Sequence, residues 1–349
     1  MKINITKKIF IISLLLIFLG SLLFAGDPDR TGTAAGVQTQ VPVGTRNVAM
    51  GGADLGNTVG ADAIYWNPAG LVGADGGSSM FSTQNIIADI NVNYFALGYT
   101  MGNNALGFSI KTFDFGEIPE TTVQNMDGTG ATFSPSYMTL SATYARQMTD
   151  RIRVGVKPKV VYESLPRASA TSLAFDFGIQ YRNLFMVNGL NVGLVVNNIG
   201  SDMEYEGPGL LNEARDQYRV SATSYEDFRE VPASTDKLPS SIGMGLSYTR
   251  SINFGTFTVS GAFINNNFEN DQINLGGEFI IADMLYVRGG YQLFTEAEDN
   301  PDLGSSVYGM SAGAGLKYNI MGADFKFGYT FRPAEYFDTN NTFSICIGF

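Results

Sequence analysis

Histidine is absent from these 349 residues, and cysteine occurs once, at Cys346. The first absence removes the imidazole base of Ser-His-Asp and Cys-His catalysis. The second rules out a disulfide within the chain, and together they exclude zinc sites of the usual His/Cys kind. Basic residues are scarce too: 22 Lys and Arg stand against 33 Asp and Glu, a net charge of −11. That balance excludes nucleic acid as a partner, because phosphate contacts need clustered Lys and Arg. No apolar run beyond the first 25 residues approaches the length of a spanning helix.

The first 25 residues read as a secretory signal peptide. Lys2, Lys7 and Lys8 form a positive start, residues 9–19 an apolar core, and Leu23-Phe24-Ala25 a small-residue cleavage site. An uncleaved anchor over residues 9–25 would be marginal for spanning a bilayer. No cysteine lies near the cleavage point, which argues against a lipoprotein.

What the chain has in quantity is glycine (41), phenylalanine (25) and tyrosine (17), with mean hydropathy near zero. An exported chain of this composition suits an outer-membrane β-barrel, where lipid-facing and lumen-facing residues alternate and cancel in any hydropathy window. From Ser78 onward the sequence divides into alternating segments of about 10 residues, the length a tilted membrane strand needs. Fourteen are expected: 78–86, 90–101, 104–113, 136–148, 151–163, 171–182, 190–199, 239–250, 254–265, 271–281, 284–294, 307–319, 322–332 and 340–349. In the sixth, Leu173, Phe175, Phe177 and Ile179 alternate with Asp176, Gly178, Gln180 and Arg182. In the twelfth, Tyr308, Met310, Ala312, Ala314, Leu316 and Tyr318 form the expected lipid face, with a tyrosine at each boundary.

A Lys or Arg on the lipid face at mid-membrane costs about 2–4 kcal/mol, so the charged face is the lumen. That assigns Arg153, Lys157, Lys159, Asp176, Arg182, Glu278, Arg288, Lys317, Asp324 and Lys326 to a mixed-charge interior. Cys346 shares the lumen register with Thr342 and Ser344 and reads as a small buried residue. Connections are alternately short and long, the pattern of periplasmic turns and outer loops, with both barrel ends in the periplasm. The chain ends in alternating apolar residues up to Phe349, resembling the signal by which the barrel-assembly machinery recognises its substrates.

Residues 26–77 are glycine-rich and do not alternate. A barrel of fourteen strands is too wide for its own side chains to fill, and this segment is long enough to occupy it. Within it stand Arg46, Met50-Gly51-Gly52-Ala53 and Trp66-Asn67-Pro68-Ala69-Gly70-Leu71. Asn67-Pro68 sets a turn, Gly51 and Gly52 allow close backbone approach, and Trp66 is the expected anchor. No Lys-Ser/Thr pair follows the Gly51–Gly56 run, so it is not a phosphate-binding loop.

These residues, in this order and ahead of the first strand, resemble the N-terminal region of the FadL superfamily of outer-membrane proteins, and most of all its PorV/PorQ branch. The resemblance implies an all-β, fourteen-stranded antiparallel barrel with an N-terminal hatch in the lumen. The chain then divides into a signal peptide (1–25), a hatch (26–77) and a barrel (78–349). The branch implies a non-enzymatic role with type IX secretion machinery and surface cargo proteins as partners. The wider superfamily implies passive uptake of a hydrophobic small molecule such as a long-chain fatty acid. Outer-membrane lipid surrounds either kind of barrel. No cofactor is expected.

The outer loops are acidic: residues 114–135 carry Asp114, Glu117, Glu120 and Asp127 with no base, and residues 200–238 carry nine acids against four bases. Residues 210–218 of the longer loop look helical, with a short apolar face. Residues 295–306 carry Glu296, Glu298, Asp299 and Asp302, a set of oxygen ligands of the kind Ca²⁺ takes, though without EF-hand spacing. The usual meaning of such runs is a solvated, repulsive surface. Processing after Ala25 should give a mature protein whose N-terminal sequencing starts at Gly26; a start at Met1 would make the first 25 residues an anchor.

Overall fold

The computed structural model describes residues 30–214, 227–294, 307–335 and 337–349. Among them, fourteen strands pair antiparallel, each with the next: β1 Gly77–Asn85, β2 Asn91–Met101, β3 Asn104–Asp114, β4 Ser136–Gln147, β5 Ile152–Leu165, β6 Ala168–Tyr181 and β7 Leu190–Gly200, then β8 Ser241–Ile252, β9 Gly255–Asn266, β10 Gln272–Ile281, β11 Leu285–Phe294, β12 Met310–Ile320, β13 Ala323–Arg332 and β14 Asn340–Gly348. β1 pairs β14 from Ser78↔Gly348 to Asn85↔Asn341, which closes the sheet and leaves no free edge. At this seam the Gly77 and Phe349 backbones exchange hydrogen bonds of 2.6 and 2.9 Å. The expected barrel is therefore present, and every strand end lies within three residues of the expected one.

The pleat sorts the residues. Along β6, Leu173, Phe175, Phe177 and Ile179 are exposed on the outer face, while Ser172, Asp176 and Gln180 are buried inside. The same division puts Phe327, Tyr329 and Phe331 of β13 outside and Thr330 inside. The result is a continuous apolar exterior, far larger than a soluble monomer tolerates. No helix among the described residues is long and apolar enough to cross a membrane.

Several local expectations are corrected. β12 begins at Met310, so Tyr308 is not the head of its outward face; its ring lies 3.8 Å from the Arg332 guanidinium. Arg182 falls one residue past β6 and is exposed at the turn end, outside the interior expected for it. The outer connection between β5 and β6 shrinks to Pro166-Arg167, because both strands continue pairing to Leu165↔Ala168. Leu211–Ala214 is extended and pairs with Asp227–Glu230, so this part of the helical-looking stretch is a hairpin; residues 215–218 lie outside the described residues.

The N-terminal segment runs through the barrel from end to end. Arg30 meets the outer connection between β9 and β10, donating to Asn267 Oδ1 at 2.9 Å and stacking 3.9 Å from the Phe268 ring. Ala35 N donates to Lys237 O at 3.0 Å, also on the outer side. The chain then descends through short turns at Val37–Thr39, Thr45–Ala49, Gly60–Asp62, Ala63–Trp66 and Pro68–Gly73 to reach β1 at the opposite end. The alternation of short and long connections places the start of β1 on the periplasmic side and so implies that the segment enters there, whereas its first described residues stand at the opposite mouth, against the long connections. A few dozen residues of irregular chain easily span the roughly 30 Å of a membrane.

Wall and segment fit because the wall is thinned where they touch. A side chain at Gly178 would collide with Asn67 and Pro68, and one at Gly155 with the Pro68 and Ala69 backbone. Gly276 against Met50 and Gly328 against Thr45 repeat the arrangement on the far side. Between segment and wall lies a core of Val43, Ala61, Ile64, Leu71, Val72 and Met80 with Tyr94, joined by the half-buried Tyr65 and Cys346. Gly178→Ala should cost about 1–3 kcal/mol by overpacking, read as an earlier unfolding midpoint in detergent. Gly289→Ala, whose added carbon stands 3.9 Å from its nearest neighbour, should leave the midpoint unchanged.

Candidate functional site

Two buried charge clusters hold the interior. The first centres on Arg46, in the turn Thr45–Ala49. Its guanidinium pairs with Asp54 of the same segment at 2.7 Å and with Glu278 of β10 at 3.1 Å, while Arg288 of β11 pairs with Glu278 at 2.6 Å. The Asp54 side chain is wholly buried and also accepts from Ser247 Oγ at 2.5 Å and Asn57 N at 3.1 Å. Two acids and two bases cancel, so the cluster is neutral and acts as a clasp between segment and wall.

The remaining motif residues are spent on backbone groups of the segment and of the adjoining wall. Asn67 donates to Leu55 O at 2.9 Å and Ile179 O at 3.2 Å and accepts from Ala69 N at 3.2 Å. Pro68 opens the 3₁₀ turn that carries Ala69 and Gly70, all buried. Trp66 Nε1 donates to Val43 O at 3.0 Å. Met50 is fully buried, and Gly51 and Gly52 take φ of 64° and 77°, which suits glycine.

The second cluster is not neutral. Lys157 and Lys159 of β5 both pair with Asp176 of β6, at 2.7 and 2.6 Å, and Asn198 N donates to the same carboxylate at 2.7 Å. Lys111 of β3 joins them. It is 3% exposed and donates to Val41 O at 2.8 Å and Thr39 O at 3.4 Å. Its ammonium stands 4.7 Å, and that of Lys157 5.7 Å, from the Tyr65 ring centroid.

The other charged residues assigned to the interior are spread out. Arg153 is buried beside Gly73 and Val59 of the segment. Lys317 pairs with Asp283 at 3.0 Å and Asp324 at 3.3 Å near the short turns, and Lys326 is exposed there. Glu296, Glu298, Asp299 and Asp302 lie outside the described residues, and among those described no cluster could hold a metal ion. Lys111, Arg332, Asp54 and Tyr65 were not singled out from sequence. For Lys111 the signal was present, since it shares the inward register with Gly107 and Ser109.

Above the segment the lumen keeps a cavity of about 580 Å³. Val37, Val41, Pro42, Leu55, Tyr65 and Trp66 contribute its segment side. Strands and outer connections supply walls rich in Asn, Gln, Ser and Thr, together with Lys111, Lys157, Lys159, Asp176, Glu269 and Arg332. Burial pushes the Glu269 carboxyl in the outer connection above the ordinary range. A closed wall, a floor made by the segment and a chamber of small-molecule size form a compartment for binding or passage.

This architecture matches solved hydrocarbon channels. The CymD monoaromatic hydrocarbon channel superposes with a TM-score of 0.52 over 88% of this chain and 96% of its own, at 15% identity. The toluene transporter TodX of Pseudomonas putida gives 0.53 over 87% and 96% at 12% identity, and the toluene transporter TbuX of Ralstonia pickettii 0.51 over the same shares at 12%. The chain has the fold of these channels. No family model and no curated protein matches the sequence.

Removing one side of a buried ion pair leaves the other charge uncompensated, at a cost of about 3–5 kcal/mol. Arg46→Met should lose stability on that scale in chemical denaturation of the refolded barrel. Lys317→Met, at the half-exposed end, should lose less than about 1 kcal/mol.

Proposed function

We propose that this chain is a passive channel of the outer membrane, admitting small organic molecules by diffusion and performing no chemical step. One observation carries the reading: the chamber of about 580 Å³ inside the closed wall, floored by the segment that threads the barrel. The floor offers aromatic and aliphatic surface at Tyr65, Trp66, Val41 and Pro42, on which a molecule with a flat apolar face can rest. Monoaromatic hydrocarbons and toluene, named for the channels of like fold, have such a face. The apolar exterior supports residence in lipid.

A second reading, partnership with secretion machinery or surface cargo, draws on the resemblance of Arg46 to Leu71 to the PorV/PorQ branch and on the polar, acidic outer loops. The structure gives those motif residues an interior packing task, so the motif speaks for the plugged barrel and the loops would have to carry any partner.

Vesicles holding the purified protein should take up small aromatic solutes faster than protein-free vesicles. Thr139→Trp, which fills the chamber from β4, should return uptake to the protein-free rate. Uptake unaffected by that substitution would remove the channel reading. Loss of surface proteins from cells lacking residues 201–238 of the barrel, with uptake intact, would favour the second.

A further inference from the structure

We infer that the chamber takes a hydroxylated organic acid, with an acidic sugar as the model ligand; the inference rests on the channel reading. Its first support is charge. Lys111, Lys157, Lys159 and Arg332 line the chamber against Asp176 and Glu269 only. Asp176 is consumed by Lys157 and Lys159. Among the described residues neither Lys111 nor Arg332 meets a carboxylate: Lys111 reaches carbonyls and the rings of Tyr65 and Phe113, and Arg332 reaches Gln292 at 2.6 Å and the Tyr308 ring. A buried ammonium without a counter-ion is costly, and a carboxylate from the ligand supplies one.

The second support is the wall. Ligand chambers are mostly apolar with a few polar groups, but here amide side chains crowd the lining: Asn197, Asn266, Asn270, Gln272, Asn274 and Gln292. Several keep a buried acceptor without a protein partner, namely Asn197 Oδ1, Asn270 Oδ1, Asn274 Oδ1 and, at the outer end, Asn340 Oδ1. Asn274 and Asn340 are more than nine-tenths buried. Such acceptors call for a donor, and hydroxyl groups donate while a hydrocarbon does not.

The third support is the floor. The Tyr65 and Trp66 rings give a surface for the C–H face of a sugar ring, while the ammonium groups of Lys111 and Lys157 stand on the same ring system as the carboxylate site. Apolar face, carboxylate and hydroxyls thus each meet their complement within one chamber.

Calorimetric titration of the full chain in detergent with glucuronate, glucose, benzoate and toluene tests this. Glucuronate should bind, and benzoate and toluene should bind less tightly or not at all. Lys111→Met should weaken glucuronate roughly tenfold, the loss of one charge-assisted contact, with glucose unaffected. Because Lys111 also touches the segment, Arg332→Gln provides a second variant, expected to weaken glucuronate with the unfolding midpoint unchanged. Tighter binding of toluene or benzoate than of glucuronate, or no binding of glucuronate, overturns the inference. Vesicle uptake is read separately against protein-free vesicles: toluene uptake above that rate with no glucuronate binding sinks the acid assignment and keeps the channel, and uptake of neither solute above that rate sinks the channel as well.

Discussion

A closed wall of fourteen strands has an interior that its inward side chains cannot fill, and the rest of this structure answers that constraint. The filler is the chain's own N-terminal segment, which must meet strands on every side at once. Contact is close because the wall gives way at Gly155, Gly178, Gly276 and Gly328, and polar because the segment is irregular and its backbone groups need partners. Gln180 Nε2 donates to Thr58 O at 2.8 Å, Ser311 Oγ to Ala49 O at 3.0 Å and Thr330 Oγ1 to Thr45 O at 2.8 Å. The small and hydrogen-bonding residues of the inner face are thus explained by one requirement.

Much of this was legible as period-2 alternation, because lipid on one side and packing on the other leave each residue one permissible face. Alternation says nothing of where a strand stops. Tyr308 and Arg182 continue the pattern of their strands by one or two residues, yet the regular ladder has already given way to an isolated bridge at Tyr308 and a single turn hydrogen bond at Arg182, so each was given a face that it does not occupy. The short loop at Pro166-Arg167 escaped for the same reason: residues 164–170 carry turn-forming Pro and Ser, and only pairing across the hairpin shows that the strands persist. Lys111 was missed for a different reason. Its register was plain, but its meaning depends on Tyr65 and Val41, which are remote in sequence and meet it only through the threading of the segment.

The motif Arg46 to Leu71 shows how a recognisable sequence can say more about architecture than about ligand. Asn67 spends its amide on Leu55, Ile179 and Ala69, and Arg46 is committed to Asp54 and Glu278. Residues so fully engaged inside the fold have nothing left to offer a solute. Trp66 is the recognisable position that does reach the chamber, and it lines it together with Tyr65, Val41 and Pro42. Selectivity can therefore diverge between barrels that share the clasp and the turn.

The electrostatics have two levels that act at different ranges. The outer loops are acidic and the chain carries a net charge of −11, which at first sight disfavours an anion. Solvated loop charges are screened beyond about 8 Å at physiological ionic strength, so their repulsion slows approach more than it opposes binding. Charges in the chamber are shielded from salt by the wall and the segment, and there the same separation is worth several times more energy. The surplus of cation over carboxylate sits at that protected level, at Lys111 and Arg332. An acidic rim over a basic chamber sets its preference by the contacts inside, and the rim selects against the polyanions and nucleic acids that a basic surface would collect.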